Sequence, residues 1–204
     1  MSPLSLKDSF KSAWSTFMKS PGVFVTVTFI FLVVGLIVDS GNDSRYSLVV
    51  NIANTLISFF AAYVMVKLSL AAARGEVPSW REAVSVKARP FWYFILASIL
   101  VGVIDGIGLI LLVIPGLYLL ARLALFNFAI VDEDLSPIES VKRAWALSRG
   151  RFWKMFLAGL IIIGMNVLGV VLLGIGVLVS SPVSFLFSAY IYEKLKSDSL
   201  PVVE

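Results

Sequence analysis

Six apolar runs, each long enough or nearly long enough to cross a bilayer, leave this chain little choice of fold. They cover Val23–Val38, Leu48–Ala73, Phe91–Ile114, Gly116–Val131, Phe152 to about Val179, and a last run that ends near Tyr192. A hydrophobic fraction of 59% and a mean hydropathy of +0.94 exceed what a soluble domain of 204 residues carries. The expected class is all-α, a polytopic membrane bundle of six transmembrane helices. It forms one integral domain over residues 1–196, followed by a polar tail at 197–204 expected to be disordered.

Three amphipathic segments stand between or before the runs. Ser5–Ser20 places Leu6, Phe10, Ala13, Trp14 and Phe17 on one face. Ser136–Arg149 places Ile138, Val141, Ala144 and Trp145 on an apolar face, with Lys142, Arg143 and Arg149 on the polar one. Ser79–Arg89 begins like them and is expected to break at Pro90. Ser5/Asp8, Ser79/Glu82 and Ser136/Glu139 all have capping-box spacing, which satisfies free amides at a helix start. Pro21-Gly22 ends or bends the first segment, and Ile114-Pro115-Gly116 reads as a tight turn between the third and fourth runs.

The charges sort by side. Lys7, Lys11 and Lys19 precede the first run; Arg74, Arg81, Lys87 and Arg89 lie between the second and third. Lys142, Arg143, Arg149, Arg151 and Lys154 lie between the fourth and fifth, and Lys194 and Lys196 follow the sixth. Fourteen of the 17 Lys and Arg therefore fall on one side, Arg45 falls on the other, and Lys67 and Arg122 lie within runs. The positive-inside rule puts both termini and all three amphipathic helices on the cytoplasmic face. Lys67, near the end of its run, can extend its ammonium to that face.

Ser5-x-x-Asp8-Ser9-Phe10-Lys11-x-Ala13-Trp14 aligns without a gap on Ser136-x-x-Glu139-Ser140-Val141-Lys142-x-Ala144-Trp145. Ser79-x-x-Glu82-Ala83-Val84 matches only at its start. The pattern predicts a threefold repeat of surface helix plus span hairpin, over about 5–73, 79–131 and 136–192.

Pro115-Gly116-Leu117-Tyr118, the acidic turn at Val131-Asp132-Glu133, Ser136-Pro137-Ile138-Glu139-Ser140-x-Lys142-x-Ala144-Trp145 and Phe152-Trp153 carry a family likeness. Over its second half above all, the chain resembles the membrane domain attached to some bacterial glycerophosphoryl diester phosphodiesterases, and the related YciC-type inner-membrane proteins. The resemblance implies a six-span prokaryotic membrane protein. It transfers no catalytic residue, because this chain has neither the phosphodiesterase domain nor any histidine.

With no Cys and no His, disulfides, thiol chemistry, haem ligation and nearly all zinc and copper sites are excluded. A carboxylate site for calcium or magnesium at Asp132-Glu133-Asp134 stays open, beside the plainer reading of a solvated turn near a helix cap. No nucleophile elbow or phosphate loop is present. No catalytic residue, metal or cofactor is therefore expected.

Two sets of residues carry the candidate functions. Asp105 lies ten residues before Pro115 and Arg122 seven after it, so at ~1.5 Å per residue the two sit at similar depth in adjacent helices. Either charge alone at mid-membrane costs ~2.5 kcal/mol or more, so a salt bridge holding the hairpin is expected ahead of an ion or substrate relay. Asn127 and Asn166 extend this polar cluster or hydrogen-bond between helices. Gly102-x-x-x-Gly106 and the glycines at 164, 169, 174 and 176 predict close helix contacts, within the bundle or in a homo-oligomer.

The second set is interfacial: Lys11, Trp14, Trp80, Arg81, Lys142, Arg143, Trp145 and Arg149 are placed to meet anionic headgroups. The expected function is non-enzymatic, organising lipid or partner membrane proteins, with no nucleic-acid partner. The alternative is a small transporter or channel component built on Asp105, Arg122, Asn127 and Asn166.

Overall fold

The structure, a computed structural model, describes residues 4–40, 47–77, 84–111, 113–171 and 176–199. All regular structure among the described residues is helical: α1 (Leu6–Lys19), α2 (Pro21–Ser40), α3 (Ser47–Ala73), α4 (Ala88–Leu111), α5 (Val113–Leu123), α6 (Phe126–Glu133), α7 (Pro137–Leu147), α8 (Phe152–Val171) and α9 (Val177–Ser199).

Among the described residues, three helices are long and apolar enough to cross a membrane: Leu48–Ala73 of α3, Ala88–Ile110 of α4 and Phe152–Val171, which is α8. A fourth crossing is available from α1 and α2 taken as a pair, joined through a bend of 87°. Proline cannot continue a hydrogen-bonded helix but suits a first position, so the chain turns at Ser20 and restarts at Pro21.

The other apolar runs depart from one straight helix each. The fourth is broken: α5 stops at Leu123, α6 starts at Phe126, and Leu125 between them has φ −104° and ψ 9°. In a straight helix Leu123 and Leu125 would point about 200° apart. The break lets both bury, together with Phe128. The sixth run carries Glu193, Lys194, Lys196 and Asp198 on its last turns, and α9 continues to Ser199 rather than loosening into a tail at 197. Pro90 does not break a helix, as its place in the sequence suggested. It sits in the first turn of α4, where no intrahelical amide is needed, and the chain at Ser85–Lys87 is not helical.

The α4–α5 hairpin turns three residues earlier than the Pro115 dipeptide predicts. Pro115 and Gly116 lie inside α5, whose first residue is Val113. Glycine sets this register. A Cβ on Gly108 would lie 3.1 Å from the Gly116 Cα, and one on Gly116 would lie 2.7 Å from the Leu109 amide nitrogen. Residue 108 therefore faces residue 116. Gly169 and Gly176 close the α8–α9 hairpin in the same way, with a Cβ on Gly176 only 2.7 Å from the Gly169 Cα. Gly102, Gly106 and Gly164, also expected at close contacts, have nothing within 4 Å of a Cβ; Gly174 lies outside the described residues.

α9 is the centre of the bundle and packs against α1, α2, α3, α7 and α8. Its buried residues surround it on every side, as a core helix requires: Val183, Leu186, Phe187, Ala189, Ile191, Tyr192 and Leu195. Burial is concentrated at one end of the molecule. α3 is buried along Tyr63–Ala72 but exposed at Leu48, Val49 and Ile52; α2 is buried at Phe24 and Val27 but exposed at Leu36 and Ile37. On α4 the exposed residues Trp92, Leu96, Ile99, Val103, Ile107 and Ile110 form one continuous stripe at helical spacing. Trp153, Leu157, Leu160, Ile163 and Val167 do the same on α8. Each stripe carries its tryptophan at the well-packed end.

Candidate functional site

The well-packed end is also the charged end. Arg74 directly follows α3, α6 finishes at Asp132 and Glu133, and the last turns of α9 bring Tyr192, Glu193 and Lys196 to the same place. Asp132, with a side chain only 5% exposed, pairs with Arg74 and lies 2.5 Å from Lys196 Nζ. Arg74 also holds Glu193, Nε to Oε1 at 2.8 Å. The Tyr192 hydroxyl lies 3.0 Å from Asp132 Oδ2 and 2.8 Å from Glu133 Oε1, and its ring stacks on Phe128 at 5.8 Å. Arg143 of α7 donates Nε to both Glu133 oxygens at 3.1 Å. Three cations thus meet three carboxylates around one tyrosine. Burial pushes the Asp132 carboxyl up, but hydrogen bonds from Lys196 and Arg74, the Arg74 charge and the Tyr192 hydroxyl outweigh it. They hold Asp132 below the usual carboxylate range.

Two further links close this end. Arg151 pairs with Asp198 at 2.9 Å, and Lys154 Nζ donates to the Leu4 carbonyl at 2.8 Å. Lys67 reaches the second amphipathic segment itself, donating to the Ser85 carbonyl at 2.8 Å. The acidic turn once weighed as a cation site is occupied by the protein's own cations at Asp132 and Glu133. Among the described residues no group of three or more His, Cys, Asp or Glu is placed to hold a metal.

α1 and α7 expose matching positions. On α1, Ser9, Ala13 and Phe17 are buried, while Lys7, Lys11, Trp14 and Met18 face outward at i, i+4, i+7 and i+11. On α7, Ser140, Ala144 and Leu147 are buried, while Ile138, Lys142, Trp145 and Arg149 face outward at the same spacing. The buried face of α7 is therefore rotated from the expected one: Ile138 and Trp145 turn outward with the basic residues, and Ser140 and Leu147 turn in. Ser140 fits inside because its hydroxyl donates to the Pro137 carbonyl at 2.8 Å, and Ser9 does likewise to Ser5 at 3.0 Å. Arg143 is the one basic residue of the α7 set spent internally, on Glu133. Trp80 and Arg81 lie outside the described residues.

The expected Asp105–Arg122 salt bridge does not form. Gly108 faces Gly116, so Asp105 lies three residues before that level and Arg122 six after it, a stagger of ~4.5 Å in the opposite sense to the expected one. Both are buried, and Asp105 Oδ1 and Arg122 Nε each lack a hydrogen-bond partner. The Arg122 guanidinium instead lies 4.2 Å from the Trp145 ring centroid and 5.7 Å from that of Tyr118. Ser148 Oγ, 2.9 Å from the Arg122 carbonyl oxygen, ties the end of α7 to the same point. Arg122 is thus a clamp between α5 and α7. A double-mutant cycle of Asp105→Asn and Arg122→Gln, read by thermal unfolding in detergent, is expected to give a coupling below about 0.5 kcal/mol. Coupling above ~1 kcal/mol would restore the pair.

Asn127 and Asn166 are brought together without the two charges. They share a cavity of about 250 Å³ between α6, α8 and α9, with Ser181, Ser184 and Ser188 of α9 beside them. Asn166 is fully engaged: Nδ2 donates to the Ile162 carbonyl at 2.8 Å and to Ser184 Oγ at 3.0 Å, and Oδ1 accepts from Ser180 at 3.2 Å. The four-residue spacing of Ser180, Ser184 and Ser188 signals this polar face in the sequence, and the sequence reading passed over it. Tyr192 was missed too, because a tyrosine near a span end reads as an interfacial anchor.

A family model described as a domain of unknown function (DUF7847) matches residues 44–202, more than three quarters of the chain. No curated protein matches the chain, and no solved structure does.

Proposed function

The chain belongs to the DUF7847 family, and we propose that it is a non-enzymatic, six-span protein of a prokaryotic plasma membrane that organises anionic lipid at its cytoplasmic surface. The spans are α2, α3, α4, the broken pair α5 and α6, α8 and α9, with α1 and α7 lying in the interface and both termini cytoplasmic. The ends of α3, α6 and α9 meet in one ion cluster, which supports placing three span ends on the same face. The 87° bend at Ser20 supports an in-plane α1 before a crossing α2. The threefold repeat and the likeness to phosphodiesterase-linked and YciC-type membrane domains belong to the same reading.

The observation that carries the proposal is the matched outward stripe, Lys11 and Trp14 on α1 with Lys142, Trp145 and Arg149 on α7. Tryptophan prefers the headgroup level, and each Lys or Arg there gains about 1 kcal/mol from anionic lipid. Lipids retained by protein extracted in native nanodiscs are expected to be enriched in anionic species. Changing Lys11, Lys142 and Arg149 together to Gln is expected to abolish that enrichment, while Tm stays within about 2 °C because all three side chains face outward. Unchanged lipid composition in the triple variant would reject the reading.

The shared Asn127–Asn166 cavity favours a second reading, a small conduit, now without a paired Asp105 and Arg122. Solute flux into proteoliposomes that disappears in Asn166→Leu would favour it over lipid organisation.

A further inference from the structure

We infer that the cavity between α6, α8 and α9 binds an uncharged ligand presenting oxygen acceptors, of the class of a glycerol ester or a small neutral polyol. Five polar side chains line it and no charged one does: Asn127, Asn166, Ser181, Ser184 and Ser188. An ion would find no counter-charge there. Most of these groups are already satisfied within the protein. Asn166 has three partners, and Ser184 and Ser188 donate to carbonyls one turn back, at 2.7 Å and 2.9 Å. Two are not. Asn127 has its Oδ1 taken by the Phe128 amide at 2.9 Å, which leaves its Nδ2 hydrogens for the cavity. The Ser181 hydroxyl has no protein partner. What the cavity offers is therefore donors, which suits ester or hydroxyl oxygens and disfavours a metal cation.

Depth makes those free donors matter. Asn127 lies six residues inside the acidic end of α6, ~9 Å at 1.5 Å per residue. In a hydrocarbon core ~30 Å thick, N–H groups left unmet at that depth cost several kcal/mol. A volume of about 250 Å³ is enough for a glycerol backbone.

The inference rests on the membrane placement but not on the surface helices. The chain has no cysteine, so single thiols report cleanly. Ser181→Cys, nearly isosteric, is reconstituted in phosphatidylcholine vesicles beside Leu160→Cys on the exposed stripe of α8, and both are modified with N-ethylmaleimide. Dioleoylglycerol in the bilayer, or glycerol in the buffer, is expected to slow modification at 181 and leave 160 unchanged. Protection by dioleoylglycerol alone identifies the lipid source, and by glycerol alone the aqueous one. Adding Asn127→Leu is expected to raise the concentration for half-protection roughly tenfold, the worth of one hydrogen bond. Ser188→Cys serves as a second reporter should Ser181→Cys misfold. No protection by either probe overturns the site. Modification of Leu160→Cys by a charged, membrane-impermeant maleimide on sealed vesicles would instead overturn the membrane placement.

Discussion

Asp132→Asn is expected to lower stability by about 2–3 kcal/mol, among the largest effects of any single polar substitution in the described chain. Removing one partner of a buried ion pair leaves its cations uncompensated, at a cost of ~3–5 kcal/mol when all partners are buried. Here the carboxylate is 5% exposed, but Arg74 and Lys196 are 37% and 27% exposed, so water recovers part of that loss. Asn keeps the shape and one acceptor, which makes the loss electrostatic rather than steric.

The same carboxylate sets an acid limit. Its folded-state pKa is depressed, so its contribution is fully present above the unfolded value near 3.8 and is lost as pH falls below that value through the folded one. Thermal unfolding in detergent from pH 7 down to pH 2 should show wild type losing stability below about pH 4. Asp132→Asn should start lower and show a shallower acid slope. Parallel acid slopes for the two proteins would mean that other carboxylates govern acid unfolding and that the cluster is not the keystone of this end.

Gly176→Ala is expected to cost about 2–3 kcal/mol, through crowding rather than charge. Its Cβ would meet the Gly169 Cα and carbonyl oxygen, both at 2.7 Å, and backbone atoms in two helices cannot swing aside as a side-chain tip can. The α8–α9 hairpin must open, and with it the Asn166–Ser184 hydrogen bond of 3.0 Å and the cavity beside it. Gly106→Ala is the matched control. Nothing lies within 4 Å of its Cβ, and alanine favours a helix over glycine by about 1 kcal/mol, so it should be neutral or stabilising. Thermal midpoints of the two variants in one detergent decide the point; equal midpoints would mean the hairpin contact is looser than 2.7 Å implies.

These two glycines show where a linear reading falters. Gly102-x-x-x-Gly106 has the spacing of a packing motif, yet open space adjoins both residues, while Gly108 and Gly116 make the contact. Spacing along one helix says which residues share a face, but not whether a neighbour covers that face. The pairing of Asp105 with Arg122 failed for a related reason. It took its origin from Pro115, and a proline in the first turn of a helix does not mark where the preceding helix ends. Measured from the facing pair Gly108 and Gly116, the stagger keeps its size of ~4.5 Å but reverses its sense, and the Arg122 guanidinium lies over the Trp145 ring instead.

Of the capping box predicted at the start of α1, the Ser5 half forms. Ser5 accepts from the Asp8 amide at 3.3 Å, while Ser136 and Glu139 form their reciprocal cap at the start of α7. Capping is settled within four residues, so it can be read locally.

Solvent preference and local hydrogen bonding operate on the chain one segment at a time. That is why the amino-acid sequence alone determined the helical class, the positions of the apolar runs, the caps at Ser5 and Ser136, and the bend at Pro21. Which residues meet across helices depends on hairpin register and on where the backbone breaks, and both are set by non-local packing. Only the tertiary structure therefore decided that Asp132 binds Arg74 and Lys196, that Arg122 stacks on Trp145, and that Asn127 joins Asn166 in one cavity without either buried charge.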